Sequence, residues 1–452
     1  MKNNFIVFLL FSFVSMGVCA QQDGVISFQN HVPEASISFC VKDVLSGKVD
    51  CQYNSKRALA PASVLKLAST ISALDKYGAD YKFKTKIGYT GEIINGVLKG
   101  SLVVKASGDP TWNSKYFTDN NVFEKIKKIL KAKGINRVLW GVVIDEGNVD
   151  SSTPTTWIWE DIANYFGSPS HAINIYDNTY KINFLSRQAG THTAIKSVIP
   201  KLEDIDFDNQ VIASNENKDN AWIFGGPRSS VRVIKGSIPK NRSSFIVKGS
   251  IPNTNKVFHS QLIKYLMGNG IKCKDKLLNS KINKFKTLGV VESPRFAEIV
   301  YFTNQKSVNL YAEALSKKVG SIESFWKSKG SDMQGVKMYD GCGVSRFNML
   351  TTSFVTDLLI YAYKQDYKQD FIESLPKAGK TGTLKRFGRG TCLEGNLLAK
   401  TGSMKAVRAY AGYITLSGKQ KAFSCIVNNY SCNDKEVEKQ VEKLLIHLCK
   451  KI

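Results

Sequence analysis

The sequence predicts an α+β protein in which one domain is divided by a long insertion. Near the N-terminus, residues 35–41 alternate like a strand, a turn follows, and a helix begins near Pro61. Near the C-terminus, three strand-like runs precede an amphipathic helix. Between about 151 and 286, short alternating stretches and Pro-Gly turns indicate inserted β structure. We therefore expect the two ends of the chain to complete one domain together.

The stretch 59–67 is typical of a helix start. Pro61 suits the first turn because it has no N–H to lose there, and Gly78 supplies a stop. The apolar positions between them recur at helical spacing: Val64, Leu67, Ile71 and Leu74. Ser63 and Lys66 would then share one face, where the amine can take the proton of the hydroxyl if burial lowers the lysine pKa. A Ser-x-x-Lys spacing alone is common by chance, so the downstream motifs decide its meaning.

Residues 1–20 have the pattern of a secretory signal peptide. A charged start is followed by the apolar run 5–14 and by small residues that end at Ala20. Cys19 suggests a lipoprotein, but the preceding Val18 matches a lipobox poorly, so cleavage before Gln21 is favoured. Later segments do not reach a membrane-spanning length of uncharged residues. The sequence predicts an exported protein without a transmembrane anchor.

Length and composition narrow the classes of function. At 452 residues, two or three domains are expected, and 43% hydrophobic residues suffice for real cores. The net charge of +25 is spread along the chain without aromatic-interleaved clusters, so we do not expect nucleic acid as a partner. Peripheral association with an anionic envelope polymer or membrane surface, or merely a basic solvated surface, fits instead. Five scattered histidines and no Cys-x-x-Cys predict no metal site.

The cysteines permit disulfides in an exported chain. Nine cysteines, less Cys19, leave eight. Cys40 and Cys51 flank the Ser46-Gly47 turn, and we predict that they bridge this hairpin. Cys425 and Cys432 flank a later turn in the same way. Buried thiols are the alternative for both pairs.

Three short motifs follow one another along the chain. They are Ser63-x-x-Lys66, Ser307-Val308-Asn309 and Lys400-Thr401-Gly402. Ser307 is expected to cap a helix. Lys400 directly follows apolar residues that are typical of the start of a strand. A second Lys-Thr-Gly begins at Lys380, but it lies in a turn-rich loop, so Lys400 is preferred.

This ordered set resembles the motifs of penicillin-recognising serine enzymes. Ser63 and Ser307 are 244 positions apart, which makes the chain similar to low-molecular-mass class C penicillin-binding proteins of the penicillin-binding protein 4 type, the D-alanyl-D-alanine carboxypeptidase/endopeptidase family S13. Four further stretches carry the resemblance: 107–110, 159–167, 339–348 and 375–384.

The resemblance implies a serine β-lactamase/transpeptidase-like domain, an antiparallel sheet flanked by helices, that is split by two accessory domains. The expected division is a signal peptide at 1–20, a catalytic domain at 21–86 and 288–452, accessory domain II at 87–170 and 255–287, and accessory domain III at 171–254. The location implied is the periplasm or cell envelope of a bacterium.

The resemblance also implies the roles of the catalytic residues, in a mechanism that needs no cofactor or metal. Ser63 is expected to attack the carbonyl of a D-Ala-D-Ala-type bond, with Lys66 as general base. Ser307 is expected to relay the proton toward the leaving amine, and Asn309 to orient Lys66 and bind the substrate amide.

The third motif is expected to bind substrate. Lys400, with the hydroxyls of Thr401 and Ser403, would hold the terminal carboxylate, and Gly402 completes the motif. The backbone N–H groups of Ser63 and Ser403 would form the oxyanion hole. The expected partners are peptidoglycan peptides, and β-lactam antibiotics as acylating inhibitors.

Three positions show where the chain matches or departs from the family pattern. Asp145, at the end of a strand, best matches a family aspartate that pairs with an amine on the third residue of the stem peptide, although a simple strand-end role fits nearly as well. Val308 stands where the family more often has Asp, and Cys342 where it usually has Ser.

Two other functions are alternatives to the peptidase. A serine β-lactamase shares the three motifs but lacks so long an insertion, and a non-catalytic wall-binding scaffold would not need the three motifs.

Overall fold

The computed structural model describes residues 22–416 and 418–451. The signal peptide predicted at 1–20 lies outside these residues. The helices are α1 (Gln22–His31), α2 (Lys66–Tyr77), α3 (Val122–Ala132), α4 (Trp159–Ile162), α5 (Thr254–Gly268), α6 (Phe296–Gln305), α7 (Asn309–Val319), α8 (Ile322–Ser328), α9 (Thr352–Tyr363), α10 (Lys368–Ser374) and α11 (Asp434–Lys451). In the described part of the chain, no helix combines the length and apolar character needed to span a membrane.

The strands fall into three groups along the chain. The first two are β1 (Ser36–Asp43) and β2 (Val49–Tyr53). The insertion holds β3 (Lys84–Tyr89), β4 (Glu92–Ile94), β5 (Val97–Lys99), β6 (Leu102–Lys105), β7 (Arg137–Val138), β8 (Val142–Asp145), β9 (Thr179–Ser186), β10 (Ala194–Ile199), β11 (Asp206–Ser214), β12 (Trp222–Phe224), β13 (Val231–Pro239), β14 (Arg242–Ser250), β15 (Lys272–Cys273), β16 (Leu277–Asn279) and β17 (Lys286–Glu292). The last group is β18 (Leu397–Met404), β19 (Val407–Leu416) and β20 (Lys419–Asn428).

The two ends of the chain form one antiparallel sheet, as the sequence predicted. Its order is β18-β19-β20-β1-β2, so β1 pairs with a strand from the far end of the chain. Apolar side chains on one face pack against α1 and α11, and those on the other face pack against α2, α6, α7 and α9. Because both faces are covered, β1 and β20 are buried along most of their length. The α+β fold is confirmed.

The insertion is mainly β structure, also as predicted. Two sheets, β16-β8-β6-β3-β17 and β15-β7-β5-β4, pack with α3 and α5, and two three-stranded sheets follow, β10-β9-β14 and β11-β13-β12. Their buried apolar residues belong to one continuous cluster. The predicted domain boundaries at 86/87 and 287/288 fall inside β3 and β17. These strands pair with each other, so we propose that the insertion spans all of β3 through all of β17.

The predicted disulfide between Cys40 and Cys51 is wrong. Near the turn, Lys42 pairs with Val49, and this register, if continued, would set Cys40 opposite Cys51. A bulge shifts the register by one residue, so that Cys51 pairs with Val41 and Cys40 with Gln52. A one-residue slip turns a side chain to the other face of the sheet, so the two sulfurs lie on opposite faces. Neither of them, nor Cys425 or Cys432, is in a disulfide.

The two faces also differ in their neighbours. The Cys40 sulfur accepts a hydrogen bond from the Thr356 hydroxyl of α9 at 3.6 Å. Cys51 packs with Val41 in the cluster on the opposite face. Bridging the two thiols would require β2 to slide by one residue and expose its buried face.

We expect peptide mapping under non-reducing conditions, after trapping of thiols in denaturant, to yield no peptide in which Cys40 is joined to Cys51. The physical reason is that the bulge directs the two sulfurs to opposite faces of the hairpin. Recovery of the joined peptide in good yield would show that the register of β1 and β2 differs from the one described.

Candidate active site

Ser63 and Lys66 lie at the junction of a short 3₁₀ helix and α2. The 3₁₀ turn covers Ala62–Leu65 directly after Pro61, and α2 continues to Tyr77, where Gly78 ends it as predicted. A three-residue spacing is one turn of a 3₁₀ helix, so the two side chains fall on the same side. The Lys66 Nζ is 2.8 Å from the Ser63 Oγ and donates to the Cys342 carbonyl at 2.6 Å.

The Lys66 amine is fully buried. Burial lowers its pKa, because the charged form loses its hydration, while the negative charges of Asp340 and Glu313 oppose this shift. A neutral amine at 2.8 Å has a lone pair that can accept the Ser63 proton. The pair therefore has the geometry and the direction of pKa shift that a serine nucleophile and its base require.

Lys400 is the second buried amine of the site. It lies in β18, and its Nζ donates to the Ser307 Oγ at 2.9 Å and to the Thr401 carbonyl at 2.6 Å. Burial lowers its pKa well below the usual value, and the charge of Lys66 lowers it further. Ser63, Lys66, Ser307 and Lys400 thus converge from three distant segments of the chain.

The prediction that Ser307 caps a helix is wrong. Val308 occupies the N-cap position of α7, and Ser307 precedes it with a φ of 55° in the left-handed region. This conformation directs the Ser307 hydroxyl to Lys400 rather than to the first turn of α7. Asn309 is the first residue of α7, and its Nδ2 donates to the Phe166 carbonyl of the insertion at 2.7 Å.

Two glycines permit close backbone contacts beside Ser63. A Cβ at Gly402 would lie 2.5 Å from the Pro61 carbonyl oxygen and 3.1 Å from the Ser63 nitrogen. A Cβ at Gly343 would lie 2.0 Å from the Ala62 carbonyl oxygen, and Gly343 also has a φ of 86°. Larger residues would push β18 and the loop after Asp340 away from the Ser63 turn. The glycine of the third motif is therefore a packing requirement.

The remaining residues of the third motif lie along β18. Thr401 is half-buried, and its hydroxyl donates to the Thr383 hydroxyl at 2.8 Å. Ser403 is exposed and pairs with Arg408 of β19. The alternative Lys380 is more than half exposed and forms an ion pair with Glu394 at 2.7 Å. The structure brings Lys400, not Lys380, to Ser307.

Asp145 lies at the end of β8, inside the insertion. Its side chain is 1% exposed, one oxygen accepts from the Gly147 N–H at 2.9 Å, and the other is 3.8 Å from the Lys105 Nζ. The neighbouring Glu146 accepts a hydrogen bond from Asn255. Within the described residues, these hydrogen bonds and ion pairs stay inside the insertion and do not reach Ser63.

Asp340 organises a loop whose role was missed in the sequence. Its two oxygens accept hydrogen bonds from the N–H groups of Gly343 and Ser345, the Asn348 amide and the Trp157 indole, at 2.6–2.8 Å. These bonds fix the loop that carries the Cys342 carbonyl to Lys66. The stretch 339–348 had supported the family resemblance, but a run of letters does not show that one carboxylate holds it together.

Glu313 of α7 is a second buried carboxyl without a sequence-based assignment. It accepts a hydrogen bond from the Gly341 N–H at 2.8 Å. Burial first, and the charge of Asp340 second, raise its pKa from 4.5 to about 7. Burial also raises the pKa of the Cys342 thiol well above its usual value, so this thiol is a poor nucleophile. Glu313, Asp340 and Cys342 have potential ligand atoms within 4.8 Å of one another, but both Asp340 oxygens are already occupied by donors.

Known sequences match this chain along nearly its whole length. A profile of the D-Ala-D-Ala carboxypeptidase 3 (S13) family matches residues 22–451. The chain is similar to the D-alanyl-D-alanine carboxypeptidase DacB of Haemophilus influenzae, with 26% identity over 433 residues that cover 90% of this chain and 88% of the relative. It is also similar to the D-alanyl-D-alanine carboxypeptidase of Actinomadura sp. strain R39, with 25% identity over 435 residues that cover 86% and 77%.

Solved structures share the fold. The crystal structure of penicillin-binding protein 4 from Haemophilus influenzae superposes with a TM-score of 0.83 and 24% identity, covering 94% of this chain and 98% of the other. A predatory peptidoglycan endopeptidase from Bdellovibrio bacteriovorus superposes with a TM-score of 0.52 and 14% identity, covering 92% of each chain.

We expect Glu313→Gln to change how stability depends on pH, because glutamine keeps an acceptor for the Gly341 N–H but cannot ionise. The folded-state pKa of about 7 lies above the ordinary 4.5. As pH rises through this interval the carboxyl of the unfolded chain ionises while the buried one keeps its proton, so the wild type loses stability. The variant should gain on the order of 3 kcal/mol relative to the wild type between pH 4.5 and pH 8.

Denaturant unfolding of both proteins at several pH values measures this difference. The exposed Glu373→Gln is the control for the loss of any carboxyl group. A stability difference that does not change with pH would contradict the assignment.

Proposed function

Because the chain belongs to the D-Ala-D-Ala carboxypeptidase 3 (S13) family, we propose that Ser63 is the nucleophile with which this serine peptidase cleaves D-Ala-D-Ala-type bonds of peptidoglycan. The observation that carries this assignment is the distance of 2.8 Å between the Ser63 Oγ and the buried Lys66 Nζ. The Ser307–Lys400 pair beside them supplies the second hydroxyl and the second amine.

The acylation step follows from these contacts. The Ser63 Oγ attacks the carbonyl carbon of the scissile bond, and its proton passes to the Lys66 Nζ. The C–N bond breaks, and Ser307, hydrogen-bonded to Lys400, is placed to deliver a proton to the departing amine. Water then attacks the ester on Ser63 and releases the shortened peptide and the free hydroxyl.

Substrate binding is assigned to β18. In this assignment the Lys400 amine, with the hydroxyls of Thr401 and Ser403, holds a terminal carboxylate. The N–H groups of Ser63 and Ser403 form the oxyanion hole in this assignment, and such a donor typically contributes about 3–4 kcal/mol to lowering the barrier. Gly402 supports the assignment because it lets β18 approach the Ser63 nitrogen.

Asn309 and Asp145 both contact other groups of the protein in the structure. In this assignment Asn309 presents its amide to the substrate, which requires its contact with the Phe166 carbonyl to be exchanged. Asp145 stays a prediction, because pairing with a substrate amine would require the buried carboxylate to give up Lys105.

The location of the protein follows from its substrate. Peptidoglycan lies outside the cytoplasmic membrane, so we propose export to the periplasm or cell envelope of a bacterium. We also propose β-lactams as acylating inhibitors, since their strained amide can enter the same site. A scaffold without activity would not need two buried amines, which are costly to desolvate.

We expect penicillin to acylate the purified mature protein at Ser63, because the Ser63 hydroxyl is hydrogen-bonded to the Lys66 amine. Intact-mass measurement should show one adduct, and peptide mapping should place it on Ser63. Ser63→Ala should give no adduct. An adduct at another residue, or none on the wild type, would refute the assignment.

We expect Lys400→Ala to slow acylation on the order of 100-fold or more. The substitution removes the amine that contacts Ser307 and that we assign to binding the substrate carboxylate. Lys380→Ala is the matched control, with the same motif letters but an exposed ion pair to Glu394. Its rate should stay within about twofold of the wild type. Equal losses in the two variants would mean that the wrong Lys-Thr-Gly had been chosen.

A further inference from the structure

A concave groove of about 740 Å³ in the insertion is lined by lysines. Five exposed lysines converge on it: Lys115, Lys181, Lys201, Lys248 and Lys264. The one carboxylate that lines the groove is Asp177, which is 3.4 Å from the Lys115 Nζ. Within the described residues, the other four lysines have no acidic partner within 4.0 Å. The groove therefore carries a large excess of positive charge.

Two of these lysines face each other directly. Lys181 of β9 pairs with Lys248 of β14 across the antiparallel ladder, so both side chains stand on the same face. Like charges at directly opposed positions destabilise a sheet. A comparable pair in the insertion, Lys86 and Lys105, is relieved by Asp145, which is 3.8 Å from the Lys105 Nζ. Within the described residues, the pair of Lys181 and Lys248 has no such neighbouring carboxylate. This is expected if a bound ligand supplies the opposing negative charge.

The groove is connected to the catalytic site by two sets of contacts. The Lys248 Nζ lies 5.9 Å from the centre of the Tyr165 ring, and the next residue, Phe166, accepts the hydrogen bond of Asn309. On the other side, Asp177 accepts from the Tyr311 hydroxyl of α7 at 3.2 Å. A ligand in the groove would therefore lie against the same elements that hold the start of α7.

The lining of the groove also has an apolar part. Ile199 is 63% exposed and Ile246 is 41% exposed, among the lysines of the same sheet. A purely hydrophilic polyanion would make no apolar contact with these two isoleucine side chains. A strand of peptide-bearing wall polymer offers both carboxylates and alanine methyl groups, so its chemistry matches the lysines and the isoleucines together.

We propose that this lysine groove holds the peptidoglycan strand through the carboxylates of stem peptides that neighbour the one being cleaved. This proposal rests on the proposed function, since it takes the same polymer as substrate. It adds a binding site in the insertion that raises the local concentration of stem peptides near Ser63.

The test is co-sedimentation of the protein with insoluble peptidoglycan at several salt concentrations. The wild type should bind, and its binding should weaken with salt. The double substitution Lys181→Gln with Lys248→Gln should weaken binding at least about fivefold. The matched control, Lys131→Gln with Lys133→Gln on the exposed end of α3, removes the same charge and should bind like the wild type.

Two further arms identify the ligand group. Peptidoglycan whose carboxylates have been converted to methylamides should lose most of its binding to the wild type. If it binds as before while polyphosphate competes strongly, the groove recognises a phosphate polymer and the proposal is overturned. Equal binding by the groove variant and the control variant would also overturn it.

Stability separates a lost ligand contact from a damaged fold. The groove variant should melt at the wild-type temperature or higher, because the substitution removes the repulsion between two facing lysines. If it melts lower, the pair Lys201→Gln with Lys264→Gln, outside the ladder, repeats the binding test, and wild-type binding by that pair overturns the proposal. Acylation of the wild type by a fluorescent penicillin is measured separately, so its failure refutes the catalytic assignment and leaves the binding result to be judged by itself.

Discussion

The contact between the buried Lys66 amine, the Ser63 hydroxyl and the Cys342 carbonyl is the constraint on which the rest of the site depends. A second amine, Lys400, is buried nearby and is bonded to a hydroxyl and a carbonyl rather than to a carboxylate. Desolvation and mutual repulsion lower the pKa of Lys400, and desolvation lowers that of Lys66. Such an arrangement makes the charged form of each amine less favourable than in an exposed lysine, and a substrate carboxylate beside the amines would favour the charged form.

Holding a carbonyl against a buried amine requires a rigid loop, and Asp340 supplies that rigidity. Four donors saturate its two oxygens, one of them the Trp157 indole of the insertion. Gly343 then lets the loop pass within contact of the Ser63 turn. A shift of this loop would move the Cys342 carbonyl and so change the environment of Lys66, although Asp340 itself does not touch the nucleophile.

The features that follow from the order and periodicity of residues could be predicted from the sequence. The predictions failed where a one-residue shift of strand register, or a single hydrogen bond, determines the structure. The three motifs, the Gly78 helix stop and the C-terminal strands follow from local patterns, and the structure brings Lys66 and Lys400 together as the motifs implied. The Cys40–Cys51 disulfide failed because a single bulge in β2 turns one thiol to the other face. The cap assigned to Ser307 failed because Lys400, 93 positions away, engages its hydroxyl. Glu313 was missed because its significance comes from burial, which no short motif records.

The insertion is hydrogen-bonded to helix α7, which begins two residues after Ser307. Phe166 offers its backbone carbonyl to Asn309, while its ring packs edge-on against Tyr165 and Trp222 of the insertion. Lys317 near the end of α7 donates to the carbonyls of Ser152 and Ser170, again backbone groups of the insertion. Helix α7 is therefore held from the insertion along most of its length, at Asn309, Tyr311 and Lys317. Glu313 on the same helix accepts a hydrogen bond from the Gly341 N–H, so α7 links the insertion to the loop whose Cys342 carbonyl contacts Lys66.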